Sequence, residues 1–286
     1  AQVGPAGERL VRFAAIINMA NRANGRGGLG GVMGSKRLKA VVVRGSRKGL
    51  KMADSEALRR IMKASQPNIM GDEDIEDMAR HGTSGIVVGQ DEGGGLPTRN
   101  WQSGSMGLER ATAISGPTLY ADWLRGAAAG TQMKDGRDTC YSCGVRCKRV
   151  VEAEWKGRAL RPVSGGPEYE TISTFGSYCD VDDLGAICYA NQLCNEYGVD
   201  TISAGATMAF AIECFERGLI TKADTGGIEL RWGDGAAMVA MLEKTLRREG
   251  FGDVLAEGSF RAARRIGLGA EQYAITAKGQ EFPAHM

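Results

Sequence analysis

Histidine is nearly missing: His81 and His285 are the only two in 286 residues. That shortage weighs against a structural zinc site, which draws four ligands from Cys and His, usually as two close pairs. Proline is sparse as well, at seven, and neither a repeat nor a low-complexity segment is present. No apolar run approaches the roughly 20 residues that span a bilayer, so no membrane partner is expected. Charge of one sign is not in excess, since 36 Lys and Arg face 34 Asp and Glu for a net +2. The polyelectrolyte argument for a nucleic-acid partner is therefore absent. There is no signal-peptide pattern and no small, loop-rich disulfide build, so the thiols are expected to be reduced and the protein cytoplasmic.

What is present is an ordinary globular composition, 43% hydrophobic and 24% charged, long enough for one large domain or two. Glycine is the outlier at 42 residues, which implies many positive-φ turns and close backbone approaches. Ala1 is not an initiator methionine, and the ending Glu281-Phe282-Pro283-Ala284-His285-Met286 reads as a loop, so a fragment is expected.

The chain is organised around Cys140, Cys143 and Cys147, spaced CxxCxxxC with Gly144 after the second. Three thiolates on one tight loop can point at a common centre, which suits a cubane iron–sulfur cluster with its fourth ligand from elsewhere. Zinc lacks a second pair, a thioredoxin-like dithiol leaves Cys147 idle, and a disulfide needs an oxidising compartment. Those alternatives, and plain structural thiols, stay open. Cys188, Cys194 and Cys214 fall among apolar residues of helical stretches, where packing is the default.

Upstream, Gly25-Arg26-Gly27-Gly28 to Lys36 offers bare backbone N–H groups and cations suited to an anion such as phosphate, although a tight turn against a sheet explains it equally well. The run Val41 to Val43 predicts a strand. Asp54 or Ser55 caps a helix to Ala64, the acidic stretch from Gly71 begins another, and residues 82–118 read as loop-rich, with Arg99 and Trp101 as surface or site-lining residues. Val150 to Trp155 predicts a strand. After the Gly165-Gly166-Pro167 corner, Glu168 and Glu170 share one face if the segment is extended, as an acid–base pair or as solvated loop carboxylates. Helices are predicted from Leu184 to Tyr197 with Asp183 as cap and Gly198 as stop, from Ser203 to Arg217, from about Gly235 to Arg248, and from Asp253 to Ile266.

Four stretches together resemble the tungsten-containing aldehyde:ferredoxin oxidoreductase family: Gly4–Glu8 with Gly25–Val43, Arg99–Gln102, Cys140–Arg149, and Gly166–Ser203. The resemblance implies an α+β, mainly α-helical fragment. Residues 1–48 would be the tail of a β-rich cofactor-binding domain, and residues 49–286 an incomplete helical domain. It implies a tungsten (or molybdenum) bis-pterin, a [4Fe–4S] cluster on Cys140, Cys143 and Cys147 with the fourth ligand beyond Met286, and ferredoxin as electron acceptor. The family's DxxGLD motif maps onto Asn195-Glu196-Tyr197-Gly198-Val199-Asp200, with Asn for the first Asp and Val for Leu. Cofactor contacts are thus expected at Gly25, Arg26, Gly27, Lys36, Asn195, Gly198, Val199 and Asp200.

The implied reaction is oxidation of an aldehyde to a carboxylic acid, with Glu168, or else Glu170, as the carboxylate that takes a proton or activates water. A tungsten-dependent aromatic acyl-CoA reductase subunit is the related alternative, and a non-catalytic iron–sulfur carrier the distant one. A homodimer is left open. The isolated fragment is expected to be inactive and, with apolar surface exposed, prone to aggregate.

Overall fold

The structure, a computed structural model, describes residues 1–45 and 51–285. The expected division between residues 48 and 49 falls outside them. Among the described residues no helix is long and apolar enough to cross a membrane.

The chain starts as a small antiparallel sheet of β1 (Gln2–Val3), β2 (Ile16–Asn18) and β3 (Arg22–Ala23), with Val3 opposite Ile16 and Ile17 opposite Ala23. Two short helices, α1 (Pro5–Glu8) and α2 (Leu29–Ser35), accompany it. Val41–Val43 does not form the predicted strand. Backbone pairing ends with the bridge from Gln2 to Ala40 and the bond from Val41 N to Ala1 O, and Val42 and Val43 are exposed. A β-branched run makes a strand only where a partner edge is available.

Next come α3 (Ser55–Met70) and α4 (Glu73–His81), whose N-caps Asp54 and Asp72 accept from backbone N–H groups of the first turn. No residue of α3 is buried. The 82–118 stretch is more helical than predicted: a 3-10 turn at Gly82–Ile86 leads into α5 (Val87–Glu92), followed by α6 (Leu108–Ala113) and α7 (Gly116–Thr118). Its irregular part holds Arg99, Asn100 and Trp101, three consecutive residues at positive φ. Such strain persists only where surroundings over-determine it. Here Arg99 pairs with Asp180 at 2.7 Å, Asn100 donates to buried Glu213 at 2.7 Å, and Trp101 packs edge-on against Tyr178.

After α8 (Gln132–Asp135), β4 (Arg137–Asp138) pairs with β5 (Lys148–Arg149), so the cysteine segment is the loop of a two-stranded ribbon. The predicted strand at 150–155 shortens to β6 (Ala153–Trp155), paired with β7 (Arg158–Leu160).

The core is helical. Residues 168–171 are not extended: α9 (Tyr169–Phe175) begins immediately after Glu168. α10 (Leu184–Tyr197) has the predicted Asp183 cap, and Gly198 stops it at φ 75°. α11 (Thr201–Glu216) starts two residues before the predicted Ser203, because the Asp200 carboxylate accepts from Ile202 N and supplies the cap. Buried from Ser203 to Cys214, α11 is the central helix. A Cβ at Gly205 would fall 2.7 Å from the Thr174 carbonyl carbon, so this glycine lets α9 and α11 touch. α12 (Gly235–Arg247) completes the bundle. The predicted 253–266 helix is instead α13 (Phe251–Leu255) and α14 (Ser259–Ile266), separated by Gly258 at φ 80°. A final ribbon pairs β8 (Thr276–Ala277) with β9 (Gln280–Glu281).

Candidate active site

The N-terminal sheet docks on the α10–α11 turn by backbone pairing. Ala15 N donates to Gly198 O, Asp200 N donates to Phe13 O, and Ala14 bridges Val199. A Cβ at Gly4 would lie 2.1 Å from Tyr197 O, which is why the chain needs glycine there. This docking brings the glycine-rich segment to the 195–200 segment.

Between them lies a cavity of about 340 Å³. Its walls include Gly25, Arg26, Lys148, Arg149, Gly165, Gly166, Glu168, Glu170, Asn191, Asn195, Val199 and Asp200. Seven of the predicted site residues thus meet at one place. Six do not: Cys140, Cys143 and Cys147 lie on the ribbon loop, Gly27 lines neighbouring cavities, Gly198 is a buried turn, and Lys36 is exposed at the end of α2. The sequence reading missed Arg149 and Asn191, whose burial depends on the ribbon and on α10.

Arg26 is already engaged. Its Nε donates to Asp200 Oδ2 at 2.7 Å, and its Nη2 donates to Ser203 Oγ at 3.1 Å and to Glu281 O at 2.8 Å. Asp200 therefore both caps α11 and fixes the guanidinium at the cavity wall. Asn195 donates to Ser164 O at 3.0 Å.

The two carboxylates differ. Glu168 Oε2 accepts from Thr83 Oγ1 at 2.6 Å, and its Oε1 lies 3.6 Å from Lys148 Nζ. Thr83 Oγ1 also accepts from Tyr169 N, which pins the carboxylate where α9 begins. Glu170 is clasped by a distant segment: Ala284 N donates to Oε2 at 2.7 Å, while His285 N and Nδ1 reach Oε1 at 3.1 and 2.8 Å. The His285 ring packs against Tyr169 at a tilt of 55°, with centroids 4.3 Å apart.

Cys140 and Cys143 are exposed and Cys147 half-buried, all as free thiols. Cys143 N donates to Cys140 O, and Ser142 and Arg146 take positive φ, which curls the loop tightly. Burial, then the nearby Glu168 carboxylate, pushes the Cys147 thiol up. Among the described residues, no three His, Cys, Asp or Glu side chains are gathered closely enough to hold a metal ion. Cys179 cannot serve as a fourth ligand for this loop, because it is buried and donates to Thr174 O and Gly205 O. Burial also raises its thiol far above the ordinary range.

The sequence profile described as "Aldehyde ferredoxin oxidoreductase, domains 2 & 3" matches residues 60–286, and that of the N-terminal domain matches residues 1–45. The chain belongs to the aldehyde ferredoxin oxidoreductase family. Among curated relatives it is 38% identical over 293 residues to a tungsten-containing aldehyde ferredoxin oxidoreductase of Pyrococcus abyssi, with all of this chain and 44% of the relative covered. It is 37% identical to one of Thermococcus kodakarensis, with the same shares covered. The aliphatic sulfonate oxidoreductase, WOR-like subunit of Pyrococcus furiosus is 32% identical over 99% of the chain and 43% of that protein. The chain therefore spans less than half the length of these relatives. Among solved structures, the active-site complex of a benzoyl coenzyme A reductase with a dienoyl-CoA aligns at TM-score 0.69 and 27% identity, covering 99% of this chain and 42% of that one.

Proposed function

We propose that this chain is part of a tungsten-dependent oxidoreductase that oxidises an aldehyde to a carboxylic acid and passes the electrons through a [4Fe–4S] cluster to ferredoxin. The observation that carries the reading is the cavity: Arg26, Glu168, Asn195 and Asp200 line it together, and its Lys148–Arg149 wall runs directly into Cys147.

The donor chemistry fits the two groups. The three loop thiols are free, two of them exposed and Cys147 half-buried, and thiolates are the ligands such a cluster takes. Beside the bonds they already make, Asn191, Asn195 and Arg26 have hydrogen-bonding capacity left over in the cavity for the polar edge of a pterin. In this reading Cys140, Cys143 and Cys147 hold the cluster, while Gly25, Arg26, Asn195, Val199 and Asp200 hold one side of the pterin-bound metal. When bound, that metal supplies a two-electron acceptor for the aldehyde carbon.

Glu168 is the base. Among the described residues its Oε1 accepts no hydrogen bond and is met by the ion pair to Lys148 Nζ at 3.6 Å, and that oxygen receives the proton. Thr83 holds the other oxygen and so sets the carboxylate's aim. Both oxygens of Glu170 are occupied by N–H donors, which suits it to positioning. Arg26 keeps Asp200 oriented, and Thr201 and Ile202 close the cavity beside it.

The likeness to the benzoyl coenzyme A reductase complex favours a second reading, reduction of an aromatic acyl-CoA in the same cavity. Full-length protein purified anaerobically decides between them. Aldehyde-dependent viologen reduction, lost on Glu168→Gln with metal content intact, supports the first. Turnover only with an aromatic acyl-CoA and a strong reductant supports the second.

A further inference from the structure

Arg137, Arg146 and Arg149 surround the cysteine loop, and among the described residues none of them makes a salt bridge. Elsewhere arginines pair freely with carboxylates, as Arg110 does with Asp180 and Asp182. Around the loop, every guanidinium bond goes to a backbone carbonyl. Arg149, buried inside the cavity wall, donates to Cys147 O, Ala79 O, Arg146 O and Arg80 O. Arg137 donates to Met133 O and Ala79 O, and Arg146 to Lys134 O and Arg137 O.

Neighbouring carboxylates are committed to other partners: Asp77 to His81, Asp138 to Arg22, and Glu168 to Lys148. Space is cleared for this arrangement. A Cβ at Gly82, which has positive φ, would fall 2.9 Å from Arg149 Nε, and one at Gly166 would fall 2.8 Å from Arg149 Cβ.

A buried charge without a counter-ion is costly and is retained where an anion completes it. Three guanidiniums around three thiolate donors supply positive charge where a thiolate-ligated cluster would bring negative charge. We propose that Arg137, Arg146 and Arg149 are positioning residues that offset the negative charge of the cluster on Cys140, Cys143 and Cys147 and raise its reduction potential. The inference rests on the cluster reading above. Reduction adds one electron, delivered from the aldehyde as it is oxidised or from a reduced mediator, and makes the cluster one unit more negative. Fixed cations therefore favour the reduced form, and Arg149 most strongly because it is the most buried. A purely structural role is the alternative, since Arg149 and Arg137 also cap the last carbonyls of α4.

The test uses full-length protein purified anaerobically, with iron and sulfide measured and the midpoint followed by EPR during a mediated redox titration. Arg149→Gln with its cluster retained is expected to shift the reduced-to-oxidised ratio about tenfold toward oxidised at fixed potential, a midpoint about 59 mV more negative for one electron. Arg137→Gln and Arg146→Gln should move it less in the same direction, and Arg149→Lys should stay nearest to wild type. An unchanged midpoint in Arg149→Gln with full iron, even with lowered thermal stability, overturns the proposal in favour of capping. If Arg149→Gln loses its cluster, the two more exposed arginines decide, and unmoved midpoints in both overturn it. Wild-type protein without iron overturns the cluster reading itself, and is recognised by the absence of any signal to titrate.

Discussion

Two sets of cysteines divide the molecule. Cys179, Cys188, Cys194 and Cys214 are buried in the helical core, and burial raises each thiol well above the ordinary value. Cys140, Cys143 and Cys147 sit on a ribbon loop, accessible to varying degrees and ringed by cations. One residue type thus serves as a small apolar filler in one region and as a candidate ligand in the other. Environment decides between them: a desolvated thiol resists ionisation, while an accessible one beside cations can bind a metal.

The sharpest way to break that contrast is to change one member of each set. Cys143→Ser in the full-length protein should lose at least half of the bound iron and nearly all turnover, whereas Cys188→Ser should keep its iron and lose about 2 kcal/mol of stability from a buried hydroxyl. Iron analysis and denaturant titration read the two outcomes, and equal iron in both variants would erase the distinction. Carboxylates give the next largest effect. Glu168→Gln should lower kcat/KM by roughly 10² at unchanged tungsten and iron. Glu213→Ala, in the core, should leave kcat per folded molecule alone and cost about 2 kcal/mol, since Asn100 and Arg217 lose their buried acceptor.

The pH dependence of stability is a smaller effect. A thiol raised on folding keeps its proton in the native state while the unfolded chain, near its ordinary 9.0, gives it up. The native state then binds more protons, so stability falls as pH rises. For Cys214, pushed up to about 12, the contribution is full below pH 9 and lost progressively up to about 12. Unfolding midpoints should decline across that window, and Cys214→Ala should flatten the decline. The smallest effect lies within the loop itself. In metal-free protein Cys140 and Cys143 should alkylate several-fold faster than Cys147, whose thiol is held up by burial and Glu168; peptide mapping after a brief iodoacetamide pulse measures this.

Local signals made much of the helical half legible in the sequence. Asp183, Gly198 and the apolar stripe between them bracket α10 as expected, because capping and periodicity act within one element. Features that depend on a partner did not show. Val41–Val43 has strand propensity but pairs only at Val41, Asp200 meets Arg26 from 174 residues away, and residues 168–171 coil because α9 packs on α11. The site was legible in part for the same reason. Its residue types stood out by spacing, yet Lys36 had the right chemistry and the wrong place, while Arg149 declared itself only through four backbone carbonyls, two of its own loop and two from the end of α4.

The clasp on Glu170 has a temporal side. The carboxylate and the His285 amide that holds it are 115 residues apart. A ribosome adding about 5–20 residues per second needs roughly 6–23 s to cover that interval. The cysteine loop leaves the ribosome before either partner, so its thiols are available for metallation while the cavity beside them still lacks the Ala284–His285 strap. Order of synthesis therefore favours loading the loop before the strap closes on Glu170.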